Sequence, residues 1–68
     1  MKILKYFEEG KRYAFSAHRF IITTEGWRSS RDWIEEADGQ PVRVYGKRDG
    51  RTTIKNYLVS PQWCVEVK

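Results

Sequence analysis

Residues 42–55 constrain the fold most. Val42-Arg43-Val44-Tyr45 and Thr52-Thr53-Ile54-Lys55 each alternate in character, and Gly46-Lys47-Arg48-Asp49-Gly50-Arg51 between them is turn-forming. A period of two gives each strand two chemically distinct faces, so a hairpin here must lay one face on a core. A two-residue Asp49-Gly50 turn sets Val44 opposite Lys55 and mixes apolar with charged residues. A three-residue loop, Arg48-Asp49-Gly50, pairs Val44 with Ile54, Tyr45 with Thr53 and Arg43 with Lys55. It also gives Gly50 the left-handed position that such loops favour. The second register is expected, with Val44 and Ile54 buried and Arg43, Tyr45 and Lys55 on the opposite face.

The remaining segments supply short elements. Lys2 to Phe7, Tyr13 to Phe15 and Phe20 to Thr24 are rich in aromatic and β-branched residues and read as strands. Glu8-Glu9-Gly10-Lys11 is a turn, and Ser16 to Arg19 is a kink, a bulge or a loop. Ser29 followed three residues later by Asp32 resembles a helix start. Trp33, Ile34 and Ala37 fall on one helical face, and Gly39 suits a left-handed cap. A helix over 30–37 is too short to persist alone, which predicts Trp33 packed onto a sheet. Tyr57-Leu58-Val59 is a short strand, Ser60-Pro61-Gln62-Trp63 a single capped helical turn, and Cys64 to Val67 a closing strand. A chain of 68 residues holds one small domain, 1–68, and its 15% aromatic content buries much area per residue. The expected class is mainly β: a small antiparallel barrel or curled sheet of five to six strands, with one short helix near residues 30–37 and a one-turn helix near 60–63.

The order of hairpin, short strand, one-turn helix at Ser60-Pro61-Gln62-Trp63 and final strand resembles the C-terminal half of Src-homology-three-like barrels. The resemblance covers residues 40–67 and implies a fold only. The N-terminal half lacks the acidic and aromatic motif with which signalling members of that class grip proline-rich peptides. It also carries a helix around Trp33 where the class has loop. Proline-peptide binding is therefore not implied, and fold alone does not fix function.

Catalytic chemistry is poorly supplied. His18 is the one histidine and reads as a polar residue at a sheet edge or kink. Cys64 reads as a small buried hydrophobe, since His18, its one possible base, is far off in sequence. One His and one Cys do not make a metal site, and no glycine-rich phosphate loop is present. Glu8-Glu9 and Glu35-Glu36 with Asp38 read as solvated charges. The expectation is a non-enzyme without cofactor or metal. A single cysteine excludes a disulfide scaffold and points to a reduced, cytoplasmic setting. Met1-Lys2-Ile3-Leu4-Lys5 is interrupted by charge too early for a signal peptide, and no apolar run approaches the ~20 residues of a membrane span.

Charge placement carries the functional reading. Thirteen Lys and Arg against nine Asp and Glu give a net charge of +4, which favours polyanions or acidic protein surfaces. Arg43, Lys47, Arg48, Arg51 and Lys55 concentrate in the hairpin against one acid, Asp49. In the expected register Arg43 faces Lys55 and Lys47 faces Arg51, and like charges directly opposite destabilise a sheet. With Tyr45 among them, the ribbon suits phosphates plus a stacked, unpaired base. The candidate nucleic-acid-binding residues are thus Arg43, Tyr45, Lys47, Arg48, Arg51 and Lys55, the partner being single-stranded or distorted nucleic acid. A plainer reading is that these charges deter edge-to-edge aggregation. Trp33 and Trp63 read as core. Trp27, flanked by Gly26 and Arg28, is the candidate contact, with Arg28, for a protein partner. The alternative function is accordingly a protein–protein module, such as a small regulator or inhibitor of a host protein of the compact kind that phage and mobile elements encode.

Overall fold

A computed structural model describes residues 3–25 and 31–68. Five antiparallel strands form one curled sheet: β1 (Arg12–Phe15), β2 (Pro41–Val44), β3 (Gly50–Thr52), β4 (Leu58–Val59) and β5 (Cys64–Val67), in the spatial order β4-β3-β2-β1-β5. Strands β2, β3 and β4 form a meander. The chain then makes a 3-10 turn at Pro61–Trp63, and β5 crosses to pair with β1, joining Phe15 to Cys64 and Ala14 to Val65. Two short helices, α1 (Ala17–Thr23) and α2 (Arg31–Ala37), complete the fold. This is the mainly β class expected, with α2 and the 3-10 turn near their predicted places. The start of the 30–37 helix at Ser29 and Ser30 lies outside the described residues.

The inner face of the sheet carries the core. Phe7, Tyr13, Phe15, Phe20, Ile34, Ala37, Val59 and Cys64 are buried. Around them Phe15, Phe20, Trp33 and Trp63 form an aromatic cluster, with Phe20 and Trp63 edge to face at 4.7 Å and Phe20 and Trp33 at 5.2 Å. Trp33 also lies 5.4 Å from Tyr57. Both tryptophans are half-buried at the rim of the core rather than at its centre. Gly39, at φ +80°, ends α2 as its position predicts, and its N–H donates to Phe15 O at 2.8 Å.

Two expected strands are absent. Phe20 to Thr23 belongs to α1, not to a sheet, and Thr24 is its C-cap. The β-branched run Ile21-Ile22-Thr23 signals a strand locally, but Ser16 accepts from Arg19 N–H and Asp38 accepts from Ala17 N–H at 2.9 Å. These two caps satisfy orphan donors of the first turn. Phe20 then turns into the aromatic cluster while Ile21 and Ile22 stay exposed. Residues 3–7 form no strand either. They run as an irregular arm tied down by Phe7 N–H donating to Lys47 O at 2.6 Å.

The hairpin register also differs. Val44 pairs with Gly50, Arg43 with Arg51 and Val42 with Thr52. The connecting loop is therefore residues 45–49, with Tyr45 and Gly46 N–H both donating to Asp49 O. Gly50 is not a left-handed loop residue. It is a buried strand residue, and a Cβ there would stand 2.8 Å from Val42 Cγ1 and 3.0 Å from the Phe7 ring. Phe7 packs directly over this glycine, which is what selects the register. Strand β3 ends at Thr52 because Lys55 and Asn56, at φ +65° and +56°, turn the chain back. Thr52 Oγ1 fastens that turn by donating to Ile54 O and accepting from Tyr57 N–H. Ile54 is consequently 57% exposed and Val44 36% exposed, not buried as expected.

Candidate nucleic-acid interface

The corrected register moves each pairing by an even number of residues, so Arg43 and Arg51 keep their expected face while their partners change, and Thr53 to Lys55 leave the strand. Arg43 lies directly opposite Arg51. Strand β1 pairs Tyr13 with Val42, and Arg12 and Arg43 are the residues next beyond that last pair. Because Tyr13 and Thr52 point to the core, Arg12, Arg43 and Arg51 share the outer face. Three arginines thus stand in one row on three neighbouring strands. Val67, opposite Arg12, and Leu58, opposite Arg51, close the row at its two ends. With strands spaced by ~4.8 Å, the three backbones span ~10 Å.

Among the described residues, no carboxylate forms an ion pair with Arg12, Arg43 or Arg51. Arg51 instead donates to the carbonyl of Asn56 at 3.2 Å, which holds its guanidinium against the β3–β4 turn. Tyr45, 61% exposed, lines a small cleft of about 50 Å3 with Arg43, Thr53 and Asn56. An exposed aromatic ring therefore borders the cationic row.

The other predicted members are dispersed. Lys55 is not on this face. It sits in the β3–β4 turn and forms an ion pair with Glu36 of α2, whose second oxygen accepts from Tyr57 Oη at 2.7 Å. Lys47 lines a groove against Tyr6 to Glu9 and is not opposite Arg51. Arg48 lines a separate cleft with Leu4 and Pro61. Trp27 and Arg28 lie outside the described residues. Arg12 is the member that the sequence reading missed. Its signal was present in principle, since Arg12-Tyr13-Ala14-Phe15 alternates, but only the strand order places β1 beside β2.

Other reactive groups are placed differently. Cys64 is fully buried, its thiol donates to Ser60 O at 3.3 Å, and burial pushes its pKa from the ordinary 9.0 up to about 12. His18 is exposed on α1. Lys11 is engaged by Glu8 at 2.5 Å and Glu66 at 3.4 Å, and hydrogen bonding to Glu8, then to Glu66, raises its pKa. Among the described residues no three His, Cys, Asp or Glu side chains gather as a metal site, and no helix is long and apolar enough to cross a membrane. Comparison of the chain with family models, with curated proteins and with solved structures finds no match.

Proposed function

We propose that this chain is a non-catalytic binding module that holds single-stranded or distorted nucleic acid on the outer face of its sheet. The observation that carries the reading is the row Arg12–Arg43–Arg51. Like charges directly opposite one another destabilise a sheet, and a face selected for stability alone would alternate their sign. A polyanion relieves that repulsion. Lys and Arg on phosphates give affinity with little sequence preference. Tyr45, beside Arg43, offers its ring to an unpaired base, a contact worth ~1–3 kcal/mol by alanine substitution. Duplex bases are already stacked, which favours single-stranded or distorted partners. The likeness to Src-homology-three-like barrels belongs to the same proposal. It is supported by the succession of hairpin, short strand, 3-10 turn and final strand over 41–67.

The test is binding to mixed-sequence single- and double-stranded DNA and RNA across a salt series. A variant with Arg12, Arg43 and Arg51 changed to Ser is compared with one in which Arg31, Lys55 and Lys68 are changed to Ser. The two lose equal charge. The outer-face variant should lose most of its affinity, and its slope of log K against log salt should flatten by about 2, three single-strand contacts at about 0.7 each. The control should keep the parent slope. Equal losses in both variants would reduce the effect to net charge. Absence of binding by the parent at ~50 mM salt would favour a protein partner instead.

A further inference from the structure

A second concavity shares Tyr45 with the cleft beside Arg43. It is a groove of about 540 Å3 between the arm at Tyr6 to Glu9 and the turn at Val44 to Lys47. Its two walls are fastened by the Phe7 N–H to Lys47 O hydrogen bond. Tyr6 and Tyr45 line it with 52% and 61% of their surfaces exposed, and among the described residues neither ring touches another ring. Tyr45 also borders the cleft beside Arg43. A nucleotide with its phosphate on Arg43 therefore has its base within reach of this groove.

Two carboxylates line the same groove, and they are not equivalent. Glu8 is bound by Lys11. Glu9 has no hydrogen-bond or ion-pair partner among the described residues. An ionised carboxylate only accepts, through two adjacent oxygens. The base edge that answers it presents two adjacent donors. Guanine does so with N1–H and N2–H2. Thymine and uracil present one N–H between two carbonyls, which repel the carboxylate, and adenine and cytosine set an amino group beside an acceptor nitrogen. Lys47, on the opposite wall, adds a positive charge to the groove. A cationic peptide, the other ligand that suits aromatic rings and a carboxylate, would face Lys47 and the arginine row.

We infer that the Tyr6–Tyr45 groove is a pocket for one unpaired guanine, read by Glu9, and that it gives the otherwise sequence-tolerant face a base preference. This inference rests on the nucleic-acid reading above. The test is fluorescence anisotropy with oligothymidine of about ten nucleotides, a length within the span of one small domain. The strand is used alone, with one central guanosine, or with one central inosine, which lacks the N2 amino group. The guanosine strand should bind about tenfold tighter than oligothymidine, with inosine between them. Glu9→Gln should erase this ranking while leaving oligothymidine affinity equal or higher, since it removes a negative charge. Changing Arg43 to Ser should weaken all three strands in parallel. Equal affinity for the three strands, or a ranking that survives Glu9→Gln, overturns the guanine pocket and leaves the phosphate face standing. No binding of any strand overturns both.

Discussion

The two faces of this sheet are built on opposite rules. On the inner face, neighbouring strands oppose Phe15 to Cys64 and Val42 to Thr52, and helices α1 and α2 cover them with Phe20, Trp33 and Ile34. These inner side chains pack against one another, and their contribution is the ordinary one of apolar burial. On the outer face, Arg43 opposes Arg51 and Arg12 lies on the same face of the neighbouring strand, with no carboxylate paired to them among the described residues. The contrast extends to basic residues of one segment. Lys55 is neutralised by Glu36, which stabilises the turn it occupies, whereas Arg43 is left facing its like. Folding explains the inner face and Lys55. The arginine row has no such ion pair or apolar packing among the described residues.

The largest effect should come from the inner face. Phe15 is 1% exposed and touches both Phe20 and Trp33. Phe15→Ala should cost ~3–5 kcal/mol, enough to unfold most of so small a domain, as urea melts would show. Trp33→Ala, at the rim, should cost less. Melts in which the two changes are equal would erase the distinction between centre and rim.

Gly50 comes next. An added Cβ would press on Val42 and the Phe7 ring, and overpacking of this kind costs ~1–3 kcal/mol. Gly50→Ala should lower the urea midpoint and loosen the arm at 3–9. An unchanged midpoint would show that Phe7 is not seated over β3.

This residue also shows what was legible in the sequence. Alternation assigned Arg43 and Arg51 to one outer face, because a period of two survives any even change of register, but it also placed Tyr45, Lys47, Thr53 and Lys55 there, and these lie outside β2 and β3. The partner of each residue was not legible. The register depends on Phe7, distant in sequence, lying over Gly50, and on Lys55 and Asn56 adopting left-handed backbone that Lys rarely takes. Helix α1 was hidden for a similar reason. Its Ile-Ile-Thr-Thr run favours strand locally, and one of its caps, Asp38, comes from the far end of another helix. Arg12 was not legible as a neighbour of Arg43 because only the pairing of β1 with β2 places it there.

Cys64 provides a pH-dependent test of the inner face. Its folded pKa is raised, so burial of the neutral thiol contributes stability below about pH 9. That contribution fades as pH rises from 9.0 toward about 12, because the unfolded chain releases the proton first. The parent should lose stability faster than Cys64→Ala across this window, and the thiol should resist modification in the native state at neutral pH. Rapid native-state modification would place Cys64 at the surface.

The smallest stability effect, and the most telling, belongs to the outer face. Arg43→Glu turns its like-charge pair with Arg51 into an opposite-charge pair and should stabilise the fold by roughly 0.2–1 kcal/mol. The same change should sharply weaken nucleic-acid binding. A gain in stability without loss of binding would separate the row from function.

The most direct test of the central claim is to map the bound face by amide chemical-shift perturbation. The isotope-labelled chain is titrated with oligothymidine at ~50 mM salt. Shifts confined to Arg12, Arg43, Tyr45, Arg51 and their outer-face neighbours, and abolished in the triple Ser variant, are the predicted result. Shifts centred on α1 and α2, or no shifts at saturating oligonucleotide, would contradict it.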